Sequence, residues 1–150
     1  MSEQAAELSA EDRALLEAAR AVRAHAYAPY SQFPVGAAVR TERGVFTGVN
    51  VENASYPLGS CAERNAVAAA VAAGARRIEA VAVIADTAEP VRPCGGCRQV
   101  LHEFGPHARV ILASVRGPLE LTTLPALLPR AFESVRRPGQ GRGAGSGAGG

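Results

Sequence analysis

Apolar residues recur near the N-terminus with the spacing of an amphipathic helix. Ser9 and Asp12 stand three positions apart, as the two polar members of a capping box do. The apolar positions that follow at helical spacing are Leu15, Ala18, Ala19, Val22 and Ala26. This pattern predicts a first helix that begins after Ser9 and ends at about His25, before the Tyr-Ala-Pro-Tyr segment at 27–30.

Short apolar runs alternate with turn residues through the first half of the chain. Residues 35–40 and 45–49 flank Thr41-Glu42-Arg43-Gly44, a combination that is typical of a β-hairpin. Residues 50–60 are polar and contain Pro57 and Gly59, which indicates a loop.

The second half of the chain alternates predicted helices and strands. Continuous apolar runs at 80–85 and 110–115 are typical of strands buried on both faces. Helices are predicted from Cys61 to near Gly74 and from Cys94 to near Gly105. The remaining elements are a short strand at 119–121 and a short helix at 124–128. The alternation predicts one layered α/β domain.

Composition limits the class of protein and of partner. The 150 residues are 47% hydrophobic and 20% charged, as expected for one globular domain, and the net charge of +2 does not imply a nucleic-acid partner. We place the domain at residues 1–137, because residues 138–150 are glycine-rich and are expected to be disordered.

The chain has no long apolar run and no apolar leader near its N-terminus, so we expect no membrane span or secretion signal. Three cysteines are an odd number, which favours a reducing, cytoplasmic compartment.

All three cysteines lie in two short motifs. Cys61-Ala62-Glu63 is the first, and Cys94-Gly95-Gly96-Cys97, preceded by Pro93, is the second. Zn²⁺ prefers four tetrahedral ligands, and a catalytic zinc site keeps one position for water. Three cysteines therefore match an open, catalytic zinc site. The alternatives are three buried thiols, or a closed structural site that takes its fourth ligand from the histidines, His25, His102 and His107, none of which has metal-type spacing to a cysteine.

Both cysteine motifs precede predicted helices. Free N–H groups and the dipole at a helix N-terminus favour thiolate over thiol. Three thiolates on Zn²⁺ leave a net charge of −1, and we assign Arg64 the role of drawing charge from the sulfurs by hydrogen bonding to them. Glu63 is two residues from a ligand, so its carboxylate can face a reacting water without binding the metal. Its predicted role is to carry protons from that water to the substrate.

The two motifs and their surroundings resemble the short, single-domain cytidine deaminases, which are zinc enzymes of nucleoside salvage. The resemblance covers about residues 10–133. It extends beyond the cysteine motifs to the following stretches: Tyr-Ser-Gln-Phe-Pro-Val-Gly-Ala-Ala at 30–38, Asn-Val-Glu-Asn-Ala-Ser-Tyr-Pro-Leu-Gly at 50–59, Arg-Gln-Val-Leu at 98–101, Glu-Phe-Gly at 103–105, and Leu-Leu-Pro at 127–129 with Phe132.

This resemblance implies a fold, an assembly and a metal. The implied fold is a three-layer α/β/α sandwich with a mixed five-stranded sheet, and the implied assembly is a homotetramer with four active sites near subunit junctions. One Zn²⁺ per chain is implied on Cys61, Cys94 and Cys97, with Glu63 as the proton shuttle.

The resemblance also implies substrate contacts. Asn50 and Glu52 match a ribose-binding pair, and two residues that stand two apart on an extended segment point to the same side. Phe33 matches an aromatic residue that packs on the pyrimidine, although its place in an ordinary core is the alternative. The remaining matches are Ala62, whose N–H contacts the base carbonyl, and Tyr56 and Phe132, which reach a neighbouring subunit's site. Ser55 and Asn65 receive no role.

The implied reaction is hydrolytic deamination of cytidine and 2′-deoxycytidine to uridine and 2′-deoxyuridine. A related alternative is the deamination of an aminonucleoside antibiotic, as by blasticidin S deaminase. Deamination within a polynucleotide is disfavoured, since aromatic residues are 5% of the chain and no basic stripe is present. A non-catalytic zinc module that acts by assembly is a further alternative, and Glu63 argues against it.

Overall fold

The computed structural model describes residues 8–134, which form a five-stranded sheet with helices on both faces. The strands are β1 (Val35–Thr41), β2 (Gly44–Val49), β3 (Ile78–Ala85), β4 (Arg109–Ser114) and β5 (Leu119–Thr123). The helices are α1 (Ala10–Arg23), α2 (Ala62–Ala72), α3 (Gly95–Phe104) and the short α4 (Leu124–Leu127), with a single 3-10 turn at Tyr56–Leu58. The glycine-rich segment at 138–150, predicted to be disordered, lies outside the described residues.

The sheet is mixed, with strand order β2-β1-β3-β4-β5. The β1 strand pairs antiparallel with both β2 and β3, β3 pairs parallel with β4, and β5 closes the other edge antiparallel to β4. The predicted three-layer sandwich around a mixed five-stranded sheet is therefore confirmed.

Side chains alternate between the two faces of the central strands, and each face has its own core. On one face, Ala38, Ala82 and Ile84 pack with Leu15 and Ala19 of α1. The other face is covered by the remaining helices, through Val39, Val81, Val83, Val110 and Leu112 of the sheet and Ala66, Val67, Leu101 and Leu124 of the helices. This division explains the continuous apolar runs, since strands covered on both faces have no solvent side.

The first helix begins as predicted and ends earlier than predicted. The Ser9 hydroxyl accepts a hydrogen bond from the Asp12 N–H at 3.0 Å, and the Asp12 carboxylate accepts one from the Ser9 N–H. The helix ends at Arg23, not at about His25. At this end, the Arg23 Nε donates to the Pro34 carbonyl at 2.9 Å and ties the end of the helix to the start of β1.

Gly48 sets the distance between α2 and the sheet. A Cβ atom at this position would lie 2.3 Å from the Ala66 nitrogen and 2.4 Å from the Ala62 oxygen. Because only a hydrogen atom fits there, the first turn of α2 rests directly on strand β2.

Within residues 8–134, no helix has the length and apolar character needed to cross a membrane.

Candidate active site

The three cysteines meet where the N-termini of α2 and α3 converge. Cys61 is the N-cap of α2 and Cys94 is the N-cap of α3, both with extended backbone. Cys97 lies in the first turn of α3 and is buried, whereas Cys94 is exposed. The three sulfur atoms all lie within 4.8 Å of one another.

The donor set fits a zinc ion that retains an open position. In a tetrahedral site with Zn–S bonds of ~2.3 Å, neighbouring sulfurs are ~3.8 Å apart, and three sulfurs that lie within 4.8 Å of one another are compatible with that spacing. Among residues 8–134, no histidine or carboxylate joins this cluster as a fourth ligand. The closed-site alternative therefore lacks its fourth ligand in the described part of the chain.

The three thiols differ in how readily they ionise in the metal-free protein. The backbone N–H of Cys97 lowers the pKa of Cys94. Burial raises the pKa of Cys61 and that of Cys97. The predicted effect of a helix N-terminus is thus seen at Cys94, whereas burial is the largest influence at the other two positions.

Glu63 is the second residue of α2, and only 6% of its surface is exposed. Burial raises the pKa of this carboxyl group, and the group's own backbone N–H, the Cys97 side chain and the charge of Arg64 partly offset that effect. A buried carboxyl group that neighbours the cysteine cluster without belonging to it is placed to exchange protons beside a bound metal.

A cavity of about 460 Å³ opens beside Cys61. The predicted sugar-binding residues and one of the predicted neighbour-reaching residues line it together with the metal-site cysteine: Asn50, Glu52, Tyr56 and Cys61. Phe33, Ala62 and Phe132 are not part of this lining. The structure thus brings the polar pair and one cysteine of the cluster, Cys61, to one cavity.

Asn50 and Glu52 are both anchored to the loop that leads into β1. The Asn50 Oδ1 accepts from the Val35 N–H and its Nδ2 donates to the Phe33 carbonyl, each at 2.8 Å. The Glu52 Oε1 accepts from the N–H groups of Tyr30 and Ser31, both at 3.0 Å. Hydrogen bonding by the Ser31 side chain, and then by the Ser31 and Tyr30 N–H groups, holds the pKa of Glu52 below its usual value, so this carboxylate stays ionised at neutral pH.

Phe33 and Ala62, the residues predicted to contact the base, differ in burial. Phe33 is half-buried and belongs to neither core cluster, which argues against the ordinary-core alternative. Ala62 is fully buried and is the first residue of α2, so its N–H has no acceptor within the helix.

The predicted neighbour-reaching residues are exposed. Tyr56 is 75% exposed and meets Tyr30 edge-to-face, with ring centroids 5.9 Å apart. Phe132 is 70% exposed, so it is not a buried anchor of the C-terminal helix. Its backbone carbonyl accepts a hydrogen bond from the Gln99 side chain at 3.0 Å.

Arg64 makes a contact that the sequence did not predict. Its Nη2 donates to the Gly59 carbonyl at 3.2 Å, in the loop just before Cys61. Its hydrogen bonding to ligand sulfurs stays a prediction.

Two polar residues hold the ligand loops and were missed by sequence reasoning. Arg98 donates to the carbonyls of Pro93 and Leu127, at 2.8 and 2.7 Å, and so fixes the loop before Cys94 against α4. Asn65 bonds to both Ser60 and Val49. A polar residue one turn beyond a ligand is the only sequence signal for either, and it does not identify the partner.

Comparison with known proteins yields cytidine deaminases and, at lower identity, a blasticidin-S deaminase. The family described as the cytidine and deoxycytidylate deaminase zinc-binding region matches residues 9–114. A cytidine deaminase of Sporosarcina psychrophila is 48% identical over 120 residues, which cover 79% of this chain and 88% of the relative. The crystal structure of cytidine deaminase from Burkholderia pseudomallei superposes with a TM-score of 0.78 at 50% identity, covering 83% of this chain and 100% of that chain. A blasticidin-S deaminase of Bacillus cereus is 28% identical over 107 residues, which cover 65% of this chain and 76% of the relative.

Proposed function

Since this chain belongs to the cytidine and deoxycytidylate deaminase family, we infer that it catalyses the zinc-dependent hydrolytic deamination of cytidine and 2′-deoxycytidine. The products are uridine or 2′-deoxyuridine and ammonia, a reaction of pyrimidine salvage. The observation that carries this proposal is the convergence of three cysteine sulfurs at the N-termini of two helices, beside a buried carboxyl group and next to a cavity that Asn50, Glu52 and Cys61 line.

Cys61, Cys94 and Cys97 are the residues that would hold one zinc ion per chain. A zinc ion bound there supplies a Lewis acid, the chemistry that brings the pKa of a water molecule to about 7. The chain brings three sulfurs together from the starts of two helices. Among residues 8–134 it provides no fourth ligand. Arg64, whose charge acts on Glu63, is proposed as the nearby cation that tempers the charge of the thiolates.

Glu63 moves the protons of the reaction. It takes a proton from the attacking water and delivers it to the ring nitrogen next to the amino-bearing carbon. Glu63 then takes the proton of the new hydroxyl group and passes it to the amino group, so that the C–N bond breaks, ammonia leaves and the carbonyl of uridine forms. Proton transfer of this kind typically contributes ~10²–10⁴-fold to the rate.

The cavity residues bind the nucleoside. Asn50 uses one N–H and one lone pair on the protein, so its amide retains a donor and an acceptor for a sugar hydroxyl. Glu52 accepts both backbone N–H groups on its Oε1, and its carboxylate is proposed to accept from a second hydroxyl of the sugar. Phe33 is proposed to pack on the pyrimidine ring and the free N–H of Ala62 to bind its carbonyl.

We also propose that the protein is a homotetramer and that it is cytoplasmic. Tyr56 and Phe132 expose aromatic rings that pack little on their own chain, which supports contact with neighbouring subunits in a homotetramer. The three unpaired cysteines support a reducing, cytoplasmic compartment. We place the catalytic domain at residues 1–137, with the glycine-rich segment outside it.

A substrate panel tests the proposal. The zinc-loaded protein is given cytidine, 2′-deoxycytidine, blasticidin S and cytosine-containing single-stranded DNA, alone and in competition, and products are identified by chromatography. We expect the two nucleosides to be converted with the largest kcat/KM. Preferential conversion of blasticidin S would support the antibiotic deaminase instead, and conversion of the DNA would show a polynucleotide substrate.

A further inference from the structure

Asn65 lies on α2, four residues beyond Cys61, and its amide group bonds to two separate segments. Its Oδ1 accepts a hydrogen bond from the Ser60 hydroxyl at 2.8 Å. Its Nδ2 donates to the Val49 carbonyl at 2.7 Å. Both bonds are short and partly buried, so each holds its partner in a defined place.

The two partners stand next to the two halves of the site. Ser60 directly precedes Cys61, the N-cap cysteine of α2. Val49 is the last residue of β2 and directly precedes Asn50, whose amide in turn holds the backbone at Phe33 and Val35. The side chain of Asn65 is therefore a direct link between the segment that carries a metal-site cysteine and the segment that carries the polar pair.

Backbone contacts support this link. Val51 and Ser60 exchange two N–H to carbonyl hydrogen bonds, each of 2.9 Å, which keep the two segments side by side. The direct seating of α2 on Gly48 brings Asn65 within reach of the end of β2. The two backbone bonds between Val51 and Ser60 hold the two segments side by side, and the Asn65 amide holds both segments against helix α2.

We propose that Asn65 is a positioning residue, which couples the sugar-binding segment at 49–52 to the metal-binding segment at 60–61 by bonding to Val49 and Ser60 at once. This inference rests on the proposed function, because the coupling matters through the nucleoside that spans both segments. Cys61 is itself the N-cap of α2, whereas the sugar-binding segment loses its side-chain hydrogen bond to the helix when Asn65 is replaced. The effect is therefore expected in substrate affinity more than in metal binding.

The test compares Asn65→Leu with Thr41→Val, a matched control. Leucine resembles asparagine in size and removes both bonds. Thr41 also donates one bond and accepts one, to Gly44 and from Arg43, but it does so in the hairpin turn between β1 and β2. For each variant the measurements are kcat and KM for cytidine, the Kd of uridine by calorimetry, the zinc content per chain and the Tm.

For Asn65→Leu we expect KM and the Kd of uridine each to rise about tenfold, the size typical of a few lost hydrogen bonds, with zinc still at one per chain. Thr41→Val should lower the Tm comparably and leave KM and the Kd unchanged. If Asn65→Leu does not fold, Ser60→Ala removes one bond alone and should raise KM by a smaller factor. Unchanged KM and Kd in a folded variant would overturn the proposal for Asn65 only. A wild-type protein that forms no uridine would contradict both this proposal and the proposed function.

Discussion

Replacing Gly48 with alanine is expected to disturb the active site from beneath it. Gly48 lies in β2 and touches the first turn of α2, the helix that begins at Cys61 and carries Glu63. The added Cβ would lie 2.3 Å from one helix backbone atom and 2.4 Å from another, while ordinary contacts of a Cβ begin at 3.4 Å. Since both neighbours are backbone atoms, no side-chain rotation relieves the clash, and the helix must move away by about 1 Å.

Two effects follow from this displacement, one on stability and one on activity. Overpacking of this kind typically costs ~1–3 kcal/mol, which corresponds to a fall in Tm of roughly 4–12 °C for a domain of this size. A misplacement of ~1 Å among reacting groups can reduce the rate by ~10²-fold. We therefore expect Gly48→Ala to have a lower Tm, measured by calorimetry, and a lower kcat/KM for cytidine.

Gly105→Ala is the control for this experiment. A Cβ at Gly105 would lie 2.6 Å from the Ile78 carbonyl oxygen, a clash of similar size at the C-terminal end of α3, away from the cysteines. This variant should lose stability and keep most of its kcat/KM. A Gly48→Ala protein with the Tm and kcat/KM of the wild type would refute the reasoning, and so would equal losses of activity in the two variants.

Three further variants test other parts of the account. Cys94→Ala should contain no zinc after purification, because two thiolates bind the ion far more weakly than three, and one zinc per chain by elemental analysis would contradict the ligand set. Glu42 accepts hydrogen bonds from the N–H groups of Arg76 and Arg77, which lower its pKa from the ordinary value of 4.5. The resulting stabilisation is present above that value and is lost as the pH falls through the lower pKa of the folded state, so Glu42→Gln should show a shallower decline of Tm with acidification below about pH 5. An equally steep decline would show that these bonds do not stabilise the carboxylate. Phe132→Ala should raise KM for cytidine with zinc content unchanged, since the exposed ring is proposed to reach a neighbouring subunit's site, and an unchanged KM would remove that role.

The order of helices and strands was predictable because burial imposes regular patterns on the sequence. Strands β3 and β4 are covered on both faces, and their sequences are continuous apolar runs. Their ends were less predictable. Strand β3 begins at Ile78, two residues before the predicted run, because the exposed Glu79 interrupts the apolar pattern.

The chemistry of the site was predictable as far as it depends on residue type and spacing. Three cysteines in two motifs predicted the cluster that the structure shows. The contacts of Asn65 and Gly48 were not predictable, because they join segments that are distant in sequence and depend on how closely α2 approaches β2. The direction in which the pKa of Cys61 shifts was also not predictable, since burial raises it and the burial of this residue depends on the fold.

The most direct test of the central claim compares the zinc-loaded wild-type protein with Glu63→Gln. Both are mixed with cytidine, the absorbance is followed over time, uridine and ammonia are quantified, and zinc is measured in the same samples. We expect the wild type to form uridine and ammonia in equal amounts, and Glu63→Gln to keep one zinc per chain while its kcat falls by ~10²-fold or more. Full turnover by Glu63→Gln, or no uridine from folded, zinc-loaded wild type, would contradict the account.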